Sequence, residues 1–286
     1  MQDGGSKVRK LDPRSARATR GAIALAALAT AAWSAPGAQS ADSLPFAVGE
    51  ELRFQLSVAK FGKVGRGTMT VEGPQDVRGQ RTLLLRFAVR GRVGLVPVES
   101  TTESWVDPTQ LASLRFAKHE RQFFRSRRER VEIFPDDRRW SSRGESEAVD
   151  GDSAADGRTN GGETGQTPTD SPLDELSFIY FLRTLPLDEG AIYSLSRHFQ
   201  AERNPVVVTV IRREAIATPA GAFATILVEM RVRDSRHYER EGVIRLNLSD
   251  DQWRIPVRIE TSMPVVGKTV LLLNGRRAAS GEVARR

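Results

Sequence analysis

Asp250 and Asp251 stand side by side in the stretch SDDQWRIPV, and they are the first residues in this sequence whose type and spacing suggest chemistry. Paired carboxylates serve acid and base catalysis when separate environments tune one to keep its proton and the other to lose it. Here the pair lies between two alternating runs, GVIRLNLS and RIPVRIE. Ser-Asp-Asp is favoured turn chemistry, because short polar side chains bond to backbone amides a few residues on. A turn is therefore expected, and no catalytic residue is assigned. His119, His198 and His237 are far apart, and none belongs to a spacing that would chelate a metal. No metal or cofactor is expected. The glycine-rich GKVGRG, residues 62–67, lacks the following helix that a phosphate cradle requires, and is expected as a hairpin turn.

The remaining candidates are apolar. In SPLDELSFIYFLRTL, Leu173, Leu176, Ile179, Tyr180 and Leu182 recur at helical spacing. Ser171 is placed to cap, Pro172 takes the first helical position and Asp174 follows three after the cap, which predicts one helix over Pro172–Thr184. Phe178 and Phe181 add apolar positions on its other sides, so burial on more than one side is expected. Leu176, Ile179 and Tyr180 are the candidate lining of a site for a lipid or other hydrophobic ligand. Ordinary core packing by the same residues is the alternative that the sequence leaves open.

The elements around this helix read as strands. In ELRFQLSV, Leu52, Phe54, Leu56 and Val58 fall on one face and Glu51, Arg53, Gln55 and Ser57 on the other. The same alternation holds for Leu83, Leu85, Phe87 and Val89, for Ile244, Leu246 and Leu248, and for Ile255, Val257 and Ile259. Further strands are expected near 66–72, 96–106, 112–121, 123–134, 191–200, 205–214, 222–232 and 266–273. Short connections such as VDPTQ, TPAG and SDDQ make neighbours antiparallel, since parallel strands need crossovers of a dozen residues or more. One helix covers only part of a sheet of about a dozen strands, so the sheet must curl to hide its apolar face. The expected fold is mainly all-β: a strongly curved antiparallel sheet, half-barrel or barrel-like, with one helix packed in the opening.

Two segments stand outside that fold. Residues 1–40 carry Lys7, Arg9, Lys10, Arg14, Arg17 and Arg20, then the apolar run GAIALAALATAAWS, then small residues, the order of a secretory signal peptide with cleavage expected after Ser40. The apolar run has 14 residues, short of the roughly 20 that cross a membrane, so no transmembrane anchor is expected after cleavage. The chain has no cysteine, hence neither a lipid-attachment thiol nor a disulfide. Residues 144–170, rich in Gly, Ser, Asp, Glu and Thr, are expected to be a disordered acidic insert within a single domain spanning 41–286, its core at about 46–273. The leader holds six basic and two acidic residues, so the formal charge of +7 falls to +3 for residues 42–286. That weak balance does not support a nucleic-acid partner. Arg115–Arg143 keeps ten basic residues against five acidic ones, alternating with aromatics as a solvated strand face does.

Four stretches together resemble the DUF3108 family of exported bacterial proteins: VGEELRFQLSVAKFGKVGRGTMTVEG, PLDELSFIYFLRTLPLDEGAIYSL, REAIATPAGAFATILVEM and LNLSDDQWRIPVRIE. This sequence departs from the family pattern in placing its tryptophan after the aspartates, at Trp253, with Asn247 and Leu248 before the serine. The resemblance implies an exported, mainly β domain without an assigned reaction, similar in fold to half-barrel lipoprotein carriers. Three functions stay open: a periplasmic envelope protein that binds a lipid or hydrophobic group in its sheet hollow, an assembly factor that holds envelope proteins through strand edges and the basic face, and an envelope hydrolase.

Overall fold

The computed structural model describes residues 44–122, 125–148, 159–160, 162–233, 242–263 and 267–279. The expected leader, His237 and residues 149–158 and 161 of the expected insert lie outside them. Within the described residues the chain builds one antiparallel sheet of fifteen strands, which does not close, and one α-helix. The first half runs as a meander through β1 (Glu51–Val58), β2 (Gly62–Val77), β3 (Gln80–Val93), β4 (Val96–Asp107), β5 (Ala112–Gln122), β6 (Arg125–Phe134) and β7 (Arg139–Ala148), with β8 (Thr159–Asn160) and β9 (Thr164–Gln166) both pairing β7. After the helix α1 (Glu175–Leu182) comes a second meander: β10 (Ile192–Leu195), β11 (Val206–Thr218), β12 (Gly221–Val232), β13 (Gly242–Ser249), β14 (Pro256–Met263) and β15 (Gly267–Arg277). The last strand pairs the first, Leu56 opposite Leu271, so the two meanders join in the middle of the sheet.

Alternation sets the inner face. Leu52, Phe54, Leu56 and Val58 of β1 are buried, as are Met69 and Val71 of β2 and Ile226, Val228 and Met230 of β12. With α1 all of these but Val58 belong to the main core. Register shifts between Arg53 and Phe54, Leu56 and Ser57, and Val210 and Arg212 bend strands locally, the device by which a long sheet curls.

The segment between β9 and β11 holds the two ends of the curl together. Thr167 N–H donates to Arg138 O, Ser113 N–H to Pro172 O, and Gly190 N–H to Val210 O. Arg197 donates to Ser171 O and Leu111 O while lying over the Phe181 ring at 4.5 Å. Phe199 crosses to the first meander and fills a second small core with Phe116, Val131, Ile133 and Trp140, edge-on to Trp140 at 5.5 Å.

Three expectations change. The helix is shorter than Pro172–Thr184 and its cap is Asp174, not Ser171: Asp174 Oδ1 accepts from Leu176 N–H and Ser177 N–H, and Ser177 Oγ accepts from Asp174 N–H. Pro172 and Leu173 cannot be helical because their backbone is bonded sideways to Ser113, Arg197 and Phe199. GKVGRG is not the turn but the start of β2, the turn being Ala59–Phe61. Its glycines let strands pack: a Cβ on Gly65 would sit 2.2 Å from Arg90 O, and one on Gly67 would meet Leu271 at 2.7 Å. The stretch 144–170 is not wholly outside the sheet, since Gly144–Ala148 continues β7 and Thr164–Gln166 is β9. Polar composition does not forbid a strand that adds to an existing edge, because the edge supplies its backbone partners.

Gly165 makes β9 possible, since a Cβ there would lie 2.7 Å from the Trp140 indole. Gly165→Ala should cost about 1–3 kcal/mol by overpacking, measured by urea unfolding; an unchanged midpoint would show that β9 is not packed on Trp140.

Candidate functional site

The helix is anchored at both ends by polar groups buried with it. At its N-terminus the Asp174 carboxylate, besides capping, accepts from Ser104 Oγ of β4, and Ser113 Oγ of β5 lies 2.8 Å from Ser177 Oγ. Burial pushes the Asp174 carboxyl above its usual range, against the pull of hydrogen bonds from Ser104, Ser177 and Ser113. At the C-terminus Arg183 grips Glu50 through two 2.7 Å bonds and donates to Trp253 O and Pro45 O. Phe46 and Tyr180 flank the guanidinium, each ring at 5.2 Å.

These anchors place α1 at one end of the curled sheet, beside the start of β1, the end of β4 and the start of β5. The opposite end carries the β1–β2 and β3–β4 hairpin tips. Between helix and tips the inner face has two unlike walls. Phe87 and Val89 of β3, Val232 of β12 and Ile244 of β13 are half-buried apolar residues packed against the core. Across β4 and β5 the inner positions become Ser100, Thr102, Lys118 and Glu120, opposite one another by register. Lys118 Nζ reaches Glu120 at 3.1 Å and the helix residue Glu175 at 3.7 Å, and Arg203 closes on Glu175 at 2.7 Å. Burial opposes ionisation of Glu175, but Lys118 and Arg203 outweigh it and hold its carboxyl at about 2. Burial likewise works against the Lys118 ammonium, and Glu175 and Glu120 outweigh it to raise its pKa.

Leu176, Ile179 and Tyr180 lie in the main core, beneath these walls, and Ile179 is 8% exposed. Burial raises the Tyr180 phenol pKa, and its hydroxyl has no hydrogen-bond partner among the described residues. Asp250 and Asp251 form a turn. Asp251 Oδ1 accepts from Ser249 Oγ, Trp253 N–H and Arg254 N–H, while Asp250 pairs with Arg213 at 3.0 Å and with Arg254 at 3.6 Å. The turn also presents Trp253 O to the Arg183 guanidinium. His119 contacts Ser126 Oγ at 3.2 Å and His198 Nδ1 accepts from Gln200 N–H, so the two share no site. No cluster of metal-ligating side chains occurs among the described residues, and no described helix is long and apolar enough to cross a membrane. Sequence reading missed the Glu50–Arg183 pair. The signal was present as a lone arginine ending an apolar helix and a glutamate opening an apolar strand.

Residues 53–274 match the DUF3108 family, described as a protein of unknown function. None of the curated proteins matches the chain. Among solved structures, a beta-barrel-like protein of the domain of unknown function DUF1849 from Brucella abortus aligns over 82% of this chain and 99% of its own, at TM-score 0.52 and 9% identity. A protein described as exported, with a YmcC-like fold, from Bacteroides fragilis aligns over 82% of this chain and 98% of its own, at TM-score 0.34 and 10% identity. One described as a lipoprotein, from Parabacteroides distasonis, aligns over 82% and 99% at TM-score 0.33 and 8% identity. The first establishes a shared fold and nothing beyond it.

Two substitutions test the anchors. Arg183→Met leaves Glu50 buried without its partner and should cost about 3–5 kcal/mol; adding Glu50→Met should recover only part of this, because Pro45 O and Trp253 O still lack donors. Full recovery in denaturant unfolding would show those carbonyls to be irrelevant. For Glu175, a folded pKa of about 2 against an ordinary 4.5 means stability present above pH 4.5 and lost as pH falls towards 2. Its side chain is 38% exposed, so screening should hold the contribution to about 0.2–1 kcal/mol. Glu175→Gln should be less stable than the parent at pH 7 and equal to it near pH 2, in urea unfolding; a deficit constant with pH would overturn the assignment.

Proposed function

The chain belongs to the DUF3108 family, and from that premise we propose that it is an exported envelope protein that holds a lipid or similar amphipathic molecule in the hollow of its curled sheet. The observation that carries the reading is the pair of unlike walls above the helix. Phe87, Val89, Val232 and Ile244 stay half-buried where a filled interior would seal them, and the facing inner positions of β4 and β5 are hydroxyls and charges. Such a space suits a ligand with an apolar body and a polar end. Leu176, Ile179 and Tyr180 of α1 are its floor in this reading. Export is supported by the basic, apolar and small-residue order of residues 1–40.

The rival reading as an assembly factor is less well supported, because part of the basic face is spent on neighbouring carboxylates. Arg78, Arg115 and Arg130 all converge on Glu132, and Arg139 pairs with Asp137. The hydrolase reading loses its carboxylate pair to the Asp251 turn.

Native mass spectrometry of protein purified from its own envelope should find a co-purifying lipid. Val89→Trp should fill the hollow, shift stability by less than about 1.5 kcal/mol because the site is only half-buried, and lose the lipid. A lipid-free parent, or a Val89→Trp protein that keeps its lipid, would overturn the proposal.

A further inference from the structure

The end of the sheet opposite the helix carries two large apolar residues in water: Leu95, 91% exposed at the β3–β4 tip, and Phe61, 52% exposed at the β1–β2 tip. The register sets them level. Gly65 pairs with Gly91, so β2 and β3 reach the rim together, and each tip residue stands just past its last paired neighbours, Val58 with Gly62 and Val93 with Val96. Two strand spacings, about 10 Å, separate the hairpins. Both tips therefore meet a flat surface at once.

The two hairpin tips themselves carry charge of one sign. Ala59–Val71 and Phe87–Val98 contain Lys60, Lys63, Arg66, Arg90 and Arg92 and no Asp or Glu. Arg90 is paired with Glu99 at 2.7 Å, but among the described residues Lys60, Lys63, Arg66 and Arg92 are held in no ion pair. Elsewhere in the sheet arginines sit against cross-strand carboxylates, as Arg86 does with Glu72 and Glu103. An exposed leucine and phenylalanine ringed by uncompensated cations is the composition that seats at a lipid interface, apolar groups entering the acyl boundary and cations meeting anionic headgroups.

We propose that this hairpin-tip end docks on an anionic membrane surface, with Phe61 and Leu95 inserted and Lys60, Lys63, Arg66 and Arg92 on the headgroups. The inference does not need the hollow to hold a lipid. It would set the open end of the hollow against the bilayer if that reading also stands.

The chain has no cysteine, so single variants Leu95→Cys, Phe61→Cys and, at the opposite end, Gln80→Cys can each carry one polarity-sensitive fluorophore in the full-length protein. With vesicles of phosphatidylglycerol and phosphatidylcholine, the labels at 95 and 61 should shift to the blue and the label at 80 should not. This positional contrast separates docking by the tips from any anchoring by the apolar leader. Lys60→Ser with Lys63→Ser should weaken the tip-label response roughly thirty-fold, and pure phosphatidylcholine should give little response. Tip labels that stay water-exposed on vesicles, a shift equal at 80 and 95, or equal binding to neutral vesicles would overturn the proposal. A tip-label shift that grows with protein concentration in the absence of vesicles would overturn it in favour of a second copy of the chain. Failure here leaves the co-purified lipid of the native mass spectrum unaffected, so the two proposals fall separately.

Discussion

An open sheet has two liabilities, a pair of strand edges with unpaired backbone groups and an apolar concave face, and here the stretch between β9 and β11 meets both. It adds β10 to β11, bonds Arg138 O just before β7 and Ser113 N–H at the start of β5, and lays α1 and Phe199 on the concave face. The rest of the architecture follows from where that stretch is fixed. Its polar contacts are buried: Asp174 between Ser104 and Ser177, and Arg183 on Glu50. Buried polar groups cost stability unless every partner is in place, so they admit few alternative seatings of the helix.

The Glu50–Arg183 pair gathers three distant parts of the chain. Glu50 lies just before β1, Arg183 ends α1, and the Trp253 carbonyl comes from the turn that Asp251 shapes. The adjacent aspartates thus act through geometry. Asp251 spends its carboxylate on backbone amides, as turn carboxylates do, and the result is a carbonyl aimed at a buried guanidinium. A conspicuous acidic pair serves the fold.

The inner face of the sheet is asymmetric. Within the first meander β4 and β5 carry Ser100, Thr102, Lys118 and Glu120 inwards, whereas β3 carries Phe87 and Val89 and the second meander carries Val208, Met230 and Ile244. Joining them through β1 and β15 brings the two kinds of face around one space. The ion pairs of Lys118 and Arg203 with Glu175 compensate charge on the polar side.

The local pattern alone determined a good deal. Period-two alternation in Leu52–Val58 and Ile244–Leu248 marks strands and their inner faces, because a strand's geometry fixes which side chains share a side. The turn at Asp250 and Asp251, the TPAG hairpin, the single helix and the curl also follow from neighbouring residues and from the need to hide one apolar face. Tertiary structure decided the partnerships between distant residues. Asp174 displaced Ser171 as the cap because Ser113 and Arg197 claimed the intervening backbone. GKVGRG became strand because Arg90 and Leu271 needed its missing side chains. Polar Thr164–Gln166 became a strand because β7 offered an edge where a glycine fits against Trp140. Lys118 read as part of a solvated strand face until the fold set Glu175 within 4 Å of both Lys118 and Arg203. Each outcome turns on an energy that exists only between residues far apart in sequence, and no local window contains both members.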